Sequence, residues 1–531
     1  MSNANPLDPE SEGGAFSEHG PWRVDRARLA WLPGLAEVRA ASRAEVLPLS
    51  RPRTIPPLGR FFGAAVAVGG ALVSWTFREK RAGGSESAAG LSRRLRVAFE
   101  RLGPAYIKLA QIVSSGRGLF PPELVEEFKK CRDQVPPEPF EAVKKVLEEE
   151  LGRPLDEVFS HIEERPIAAA SIAQVHAATL RTGESVVVKV QRPRVQELVR
   201  LDIQAMAWIA PRLVGRIPVA ALANPPALVE LFAETIVEEL DFRLEAENML
   251  DIAHVLFDAG QKAIVVPRPH PTLVTRRMLV MERLSGFMYE QVEDMRRAGI
   301  DTEAVVRALY IAFIEGAVIY GVFHGDLHGG NLVVTPEGKV ALFDHGITGR
   351  LEGKQRLAFL RLMMSGAMND VQTQLEAFRD LGALDANADL AEIARLLRVD
   401  EPVVDPTKLT GKELMGELQR VVKGLLAQGA RLPKPLMLYV KGMLFFDSAM
   451  TAMAPNADLF QELGRIYGYF VQHHAERIRQ DIGVDPSQVQ LDTKGLKASL
   501  GLEADVESIT PAEILRRRDV IRERLEKEAN G

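Results

Sequence analysis

The sequence predicts an α+β protein of two lobes, and three observations carry that expectation. The chain has 531 residues, more than one hydrophobic core ordinarily serves. Apolar residues recur at helical spacing through most of it. Between residues 171 and 191 the period drops to two around Arg181-Thr182-Gly183-Glu184, a hairpin signal. Hydrophobic residues at 46% and charged ones at 26% describe a globular chain. A net charge of −6 gives no bulk attraction to nucleic acid, so no nucleic-acid partner is expected. The single cysteine, Cys131, allows no intrachain disulfide and no cysteine-based zinc site. Residues 1–14 are polar and acidic and do not read as a signal peptide, so a cytoplasmic location is expected, with membrane association open.

Taken in order, residues 1–58 are rich in Pro, Gly, Ser and Arg and are expected to be mostly disordered. Residues 59–90 make an apolar segment and linker, with 83–87 as the linker proper. Residues 61–77 carry no charge. As a helix they span about 26 Å, the short edge of a bilayer crossing. Arg60 on one side and Arg78, Lys80 and Arg81 on the other are placed to meet headgroups. A buried helix is the plainer alternative. Residues 91–165 predict a helical extension: a stripe of Leu91, Leu95, Ala98 and Leu102, a break at Gly103-Pro104, and a second helix through Ile107, Ile112 and Val113. A break at Pro121-Pro122, a short helix to Arg132, and an amphipathic helix over 138–151 follow. Residues 166–284 hold strands at 171–180 and 185–191, a helical stretch over 195–258 broken by prolines, and short strands at 273–275 and 279–282. Residues 285–480 are mainly helical, with strands at 331–335 and 339–343. A charged tail, 481–531, ends in a predicted helix at 511–528.

The densest chemical signal is His324-Gly-Asp-Leu-His-Gly-Gly-Asn331, followed by Phe343-Asp-His-Gly346. Phosphoryl transfer needs phosphates held in place and their charge neutralised through a metal. Asp326 and Asn331 stand at the spacing of a protein-kinase catalytic loop. Asp344 follows an apolar run and precedes Gly346, as in the kinase Asp-Phe-Gly element, with His345 in place of Phe. Asp326 is the candidate catalytic group. Asn331 and Asp344 are the metal candidates, and such oxygen donors suit Mg²⁺. His324 and His328, four apart, leave zinc as an alternative.

Lys189, in Val-Val-Val-Lys-Val on the second hairpin arm, matches the strand lysine that pairs the α- and β-phosphates of ATP. Glu239, Asp241 and Glu245 lie downstream as carboxylates to hold it; a solvated acidic face is the alternative. Ala168-Ala169-Ala170-Ser171 stands where a phosphate-covering loop would be glycine-rich. Alanine keeps the small size but restricts the backbone. The backbone of Met281-Glu282-Arg283 is the candidate adenine hinge. Together these predict a bilobal protein-kinase-like fold, with an N-lobe over 166–284 and a C-lobe over 285–480, binding ATP and Mg²⁺.

The same residues resemble the UbiB (AarF-type) family of atypical protein-kinase-like proteins, in family order over roughly residues 91–350. The likeness rests on the Ala-rich loop with Ile172-Ala-Gln-Val-His176, on Glu239-Leu240-Asp241 as a Glu-x-Asp element, and on 324–331. Ile107-Lys-Leu-Ala-Gln111, ahead of Pro121-Pro122-Glu123, is similar to the family's Lys-x-Gly-Gln element, with Ala110 in place of Gly. Leu327 and Gly329 stand where the family commonly has prolines. The resemblance implies a helical extension folded over the active site. It implies that Lys108 and Gln111 approach Glu239 and Asp241, leaving Glu245 to pair with Lys189. It further implies ATPase or unconventional kinase activity, membrane contact, and lipid or quinone-pathway partners. The rival expectations are a conventional protein or small-molecule kinase, and a non-catalytic ATP-gated lipid- or partner-binding protein.

Overall fold

The computed structural model describes residues 14–52, 58–82, 84–115, 121–131, 136–213, 225–398, 421, 424–425, 428–430, 433–489, 497, 502 and 505–529. The fold is α+β, and the chain divides into two compact units. The first comprises residues 1–253, 266–284 and 343–347; the second comprises 254–265, 285–342 and 348–531. The boundary thus departs from a single cut near residue 284: the segment holding Asp344 belongs to the first unit.

The first unit is built on a sheet of β1 (Phe159–Ile162), β3 (Ala173–Leu180), β4 (Ser185–Gln191), β7 (Met278–Glu282) and β6 (Pro269–Val274), in that order, with β2 (Ala168–Ala169) paired to β3. The expected hairpin is β3–β4, whose Thr179 faces Ser185. Its turn places Gly183 at φ 101°, a conformation glycine adopts without strain. Strand alternation buries Val186, Val188 and Val190 in one core with Met278, Val280 and Leu147 of α6 (Phe140–Leu151). Lys189 lies on the opposite face.

Helices complete this unit. α2 (Leu58–Arg78) and α3 (Gly84–Leu102) are joined where the buried Trp75 indole donates to the Ser87 carbonyl at 3.0 Å. Residues 84–87 are therefore helical, not linker; residue 83 lies outside the described residues. α4 (Pro104–Ser115) and α5 (Pro122–Phe128) pack on Trp75 and Leu91 through Ala110, Val113, Leu124 and Phe128. α7 (Val195–Leu213), α8 (Pro225–Glu239) and α9 (Phe242–Asp258) replace the long helical stretch. Arg60, expected at headgroups, instead pairs at 2.6 Å with Asp202 of α7, whose side chain is 2% exposed.

Residues 14–52 correct the expectation of disorder. α1 (Leu35–Ser50) is tied to α9 by Arg39–Glu247 and to α7 by Glu45–Arg200, both at 2.6 Å. Upstream, the Trp22 indole donates to the Pro269 carbonyl and the Trp31 indole to the His270 carbonyl, each at 3.0 Å. Residues 1–13 and 53–57 lie outside the described residues.

The second unit holds a four-stranded sheet ordered β5 (Ile264–Val265), β11 (Val340–Leu342), β10 (Leu332–Val334) and β8 (Phe287–Met288). β9 (Val322–His324) pairs with β12 (Thr348–Arg350). α10 (Val292–Arg297) and α11 (Thr302–Glu315) precede β9; α12 (Lys354–Ala367), α13 (Val371–Asp380) and α14 (Leu390–Leu397) follow β12. Three further helices span Lys434–Met453, Leu459–Ile482 and Pro511–Ala529. Phe313, Phe323, Phe359, Tyr439 and Phe446 form an aromatic core in which Phe313 stacks on Tyr439 with ring centroids 5.2 Å apart. Two described helices, Gly59–Arg78 and Lys434–Met453, are long and apolar enough to cross a membrane by length and composition.

Candidate active site

Lys189 is held where alternation along β4 puts it, on the face away from the valine core. Its ammonium donates to both Glu245 oxygens at 2.7 and 2.9 Å and to Asp344 at 3.0 Å. The Phe242 ring lies 5.4 Å from the ammonium, adding a cation–π contact. Burial opposes the lysine's charge, but Asp344 and Glu245 together outweigh it and hold its pKa above the ordinary lysine value. Burial pushes Glu245 up to about 7; Lys189 pulls it back and Asp344 pushes it further. The two shifts agree: one cation serves two carboxylates, and the more deeply buried carboxylate is the one left under-compensated. Asp344 is 43% exposed in its side chain and has φ 52°, a left-handed conformation that aspartate tolerates better than most residues. Next to it, buried Asn248 donates to the His345 carbonyl at 2.9 Å.

Lys108 of α4 lies 3.1 Å from Glu239 at the end of α8. Asp241 turns elsewhere: it accepts from the Arg243 amide at 3.1 Å and pairs with the Arg243 guanidinium at 2.7 Å, opening α9. Gln111 shares the α4 face with Lys108, one turn on. The Ala-rich loop is a strand edge and a tight turn. Ala168 and Ala169 pair with Val175 and Gln174, and the Ala170 amide donates to the Ala173 carbonyl at 2.8 Å. Arg192 clamps this turn, donating to the Ala170 carbonyl at 3.0 Å, and Ser171 is buried beneath it.

At the candidate hinge, Met281 and Glu282 sit in β7 and Arg283 follows. The Glu282 amide donates to the Arg268 carbonyl at 2.9 Å and the Arg283 amide to the Ser185 carbonyl at 3.4 Å. Those two amides are engaged within the sheet, which narrows an adenine contact here to other groups. The Glu282 carboxylate accepts from Ser17 and from the Arg268 amide.

In the second unit, Asp326 and Asn331 share one turn after β9. The Asp326 amide donates to His324 Nδ1 and the Gly330 amide to His328 Nδ1, each at 3.1 Å. These bonds give both histidines a structural use. Asn331 Nδ2 donates to the Asp326 carbonyl at 3.0 Å, which leaves its amide oxygen for a cation. Gly329 is required by close approach: a Cβ there would fall 2.7 Å from the Tyr289 ring. Lys441, from the helix Lys434–Met453, pairs with the Asp326 carboxylate. Sequence reasoning missed Lys441, Arg192 and Asn248. For Lys441 a signal existed: with Asp447 it is one of two charges inside an otherwise apolar helix. For the other two, polar residues three after Lys189 and three after Glu245, nothing in the sequence set them apart.

Comparison with known proteins identifies the family of the chain. A family described as the ABC1 atypical kinase-like domain matches residues 130–378. An aarF domain-containing protein kinase from Arabidopsis thaliana, described as chloroplastic, is 32% identical over 77% of this chain and 82% of its own length. The chain belongs to the ABC1/UbiB family of atypical kinase-like proteins. A protein of Mycobacterium tuberculosis named only as uncharacterized is 33% identical over 72% of this chain and 78% of its own. A probable protein kinase UbiB of Aliivibrio fischeri is 29% identical over 70% and 69%. A solved structure from M. tuberculosis, described as a complex with erythromycin, aligns with a TM-score of 0.37 at 22% identity, covering 65% of this chain and 90% of that one. An ABC1/UbiB kinase-like domain implies ATP binding. Taken separately, Asp344 of the first unit offers a carboxylate and Asn331 of the second an amide oxygen, each a hard donor of the kind Mg²⁺ takes.

Proposed function

We propose that this ABC1/UbiB-family chain is an ATP- and Mg²⁺-dependent atypical kinase or ATPase that supports quinone or other isoprenoid-lipid metabolism beside a membrane. The observation that carries the ATP-dependent part is the buried Lys189–Glu245 pair with Asp344 attached to the same ammonium. In this proposal Lys189 binds the α- and β-phosphates and Glu245 orients Lys189. Asp344 and Asn331 would hold Mg²⁺, which when bound would supply charge neutralisation at the phosphates. Asp326 orients or deprotonates the acceptor, water or a hydroxyl. The Ala-rich loop lies over the phosphates, kept in shape by Arg192. Lys108 and Glu239, already ion-paired, hold the extension helix α4 to α8.

The membrane part draws on α2. One of its faces is buried through Ala64, Val68, Ala71 and Trp75. The other leaves Phe62 70% and Phe77 81% exposed, with Val66 and Val73 between them and Arg78, Lys80 and Arg81 at its end. The lipid class rests on the family resemblance alone. The deciding experiment is Mg-ATP turnover by purified protein with and without liposomes, alongside Asp344→Asn. Turnover that lipid stimulates and that the variant lacks is expected; wild-type turnover in Asp344→Asn overturns the assignment of the site.

A further inference from the structure

The loop carrying Asp326 holds no lysine or arginine: residues 327–330 are Leu-His-Gly-Gly. A cation reaches Asp326 from 115 residues further along the chain, where Lys441 Nζ donates to Asp326 Oδ1. The pair is largely enclosed, with side chains 23% and 13% exposed. A charge in the middle of an apolar helix is costly without a partner, so its placement calls for a reason.

Packing sets that placement. Gly442, the next residue, lets the helix press on Phe313: a Cβ there would fall 2.3 Å from the Phe313 ring. Phe313 meets Phe323 edge-on at 5.5 Å between centroids, and Phe323 immediately precedes the loop. Tyr439, two residues before Lys441, stacks on the same Phe313 ring. The helix that presents the lysine and the strand that delivers the aspartate therefore lean on one side chain.

We propose that Lys441 is a positioning residue for Asp326 in phosphoryl transfer, supplying from a distant helix the cation that this loop lacks. The proposal rests on the ATP-dependent function above. A charge-assisted hydrogen bond to Oδ1 restrains the rotation of the carboxylate and so the orientation it presents to the acceptor.

The test uses the full chain as Lys441→Met, Lys441→Arg and Gly442→Ala, with Mg-ATP turnover, nucleotide affinity and thermal melting measured for each. Lys441→Met is expected to lower kcat about 10²-fold while KM for ATP stays within about twofold. Lys441→Arg keeps the charge and restores much of the rate. Gly442→Ala keeps the lysine, displaces its helix and lowers kcat too. Wild-type kcat in Lys441→Met overturns the proposal. So does a loss of rate matched by equal losses of nucleotide affinity and melting temperature that Arg does not mend, the pattern of simple unfolding. A wild-type protein with no turnover sinks the ATP-dependent function and this proposal with it; wild-type turnover left unchanged by Lys441→Met sinks this proposal alone.

Discussion

Lys189 stands between two carboxylates, and removing it leaves the more buried one without a cation. Breaking such a pair from one side costs about 3–5 kcal/mol, mostly the penalty of the stranded charge. Lys189→Met is therefore expected to abolish turnover and to unfold in markedly less denaturant. Adding Glu245→Gln removes the stranded charge, so denaturant melts of the double variant should recover most of the stability and none of the activity. His270 gives a separate test against pH. Burial depresses its pKa to about 4 from the ordinary 6.5. Its Nδ1 accepts the Thr272 and Leu273 amides at 3.2 and 3.1 Å, bonds that a proton on Nδ1 would break. The unfolded chain then binds more protons than the folded one between those values. The contribution is present above pH 6.5 and is lost as pH falls towards 4. His270→Gln should flatten that stretch of the stability–pH curve measured by chemical denaturation.

At the scale of the element, α2 shows how two faces of one apolar helix take different fates. Its Arg60 is bound to a deeply buried aspartate. Burial raises the Asp202 pKa and Arg60 only partly offsets it, so the pair fastens α2 to α7 more than it adds net stability. Arg60→Ala strands Asp202 and should cost about 3 kcal/mol in a thermal or denaturant melt. The exposed face predicts the opposite pattern. Phe62→Ser with Phe77→Ser should change stability by less than about 1 kcal/mol and yet weaken sedimentation with anionic liposomes. Unaltered liposome binding would remove α2 from the membrane proposal. The Ala-rich loop is an element of the same kind, shaped by a distant side chain. Alanine lacks glycine's freedom, and Arg192 supplies the restraint that makes the turn definite.

For the whole molecule, the first unit includes sequence upstream of the matched kinase-like domain. Phe16, Val24, Leu29, Trp31, Leu35, Val46 and Leu49 are all buried in it. At about 1.5 kcal/mol each, their burial is on the order of 10 kcal/mol, comparable to the total stability of an ordinary domain. Deleting residues 1–52 should thus leave a protein that aggregates or melts far lower by calorimetry. A truncated chain with unchanged melting would show these contacts to be incidental.

How much was legible depends on how local each signal is. The hairpin β3–β4 was readable because alternation and a glycine turn are properties of adjacent residues. Asp326 and Asn331 were readable for the same reason: five residues of spacing place them on one turn. The pairing of Lys189 with Glu245 was reached through the family likeness, since nothing local distinguishes Glu245 from Glu239 or Asp241. The order of residues 14–52 was not legible, because its anchors at Pro269 and His270 lie 247 and 239 residues from the tryptophans they hold. Irregular composition there reflects a segment that takes its shape from other surfaces.

The sequence by itself determined the α+β kinase-like class, the catalytic-loop spacing and the chemistry of the donors, all carried by short-range pattern. Only the tertiary structure decided that Arg60 faces Asp202 and not a headgroup, that Asp241 turns to Arg243, and that Lys441 pairs with Asp326. The physical reason is that periodicity fixes which face a side chain occupies, whereas the partner on that face is set by the packing of segments far apart in the chain.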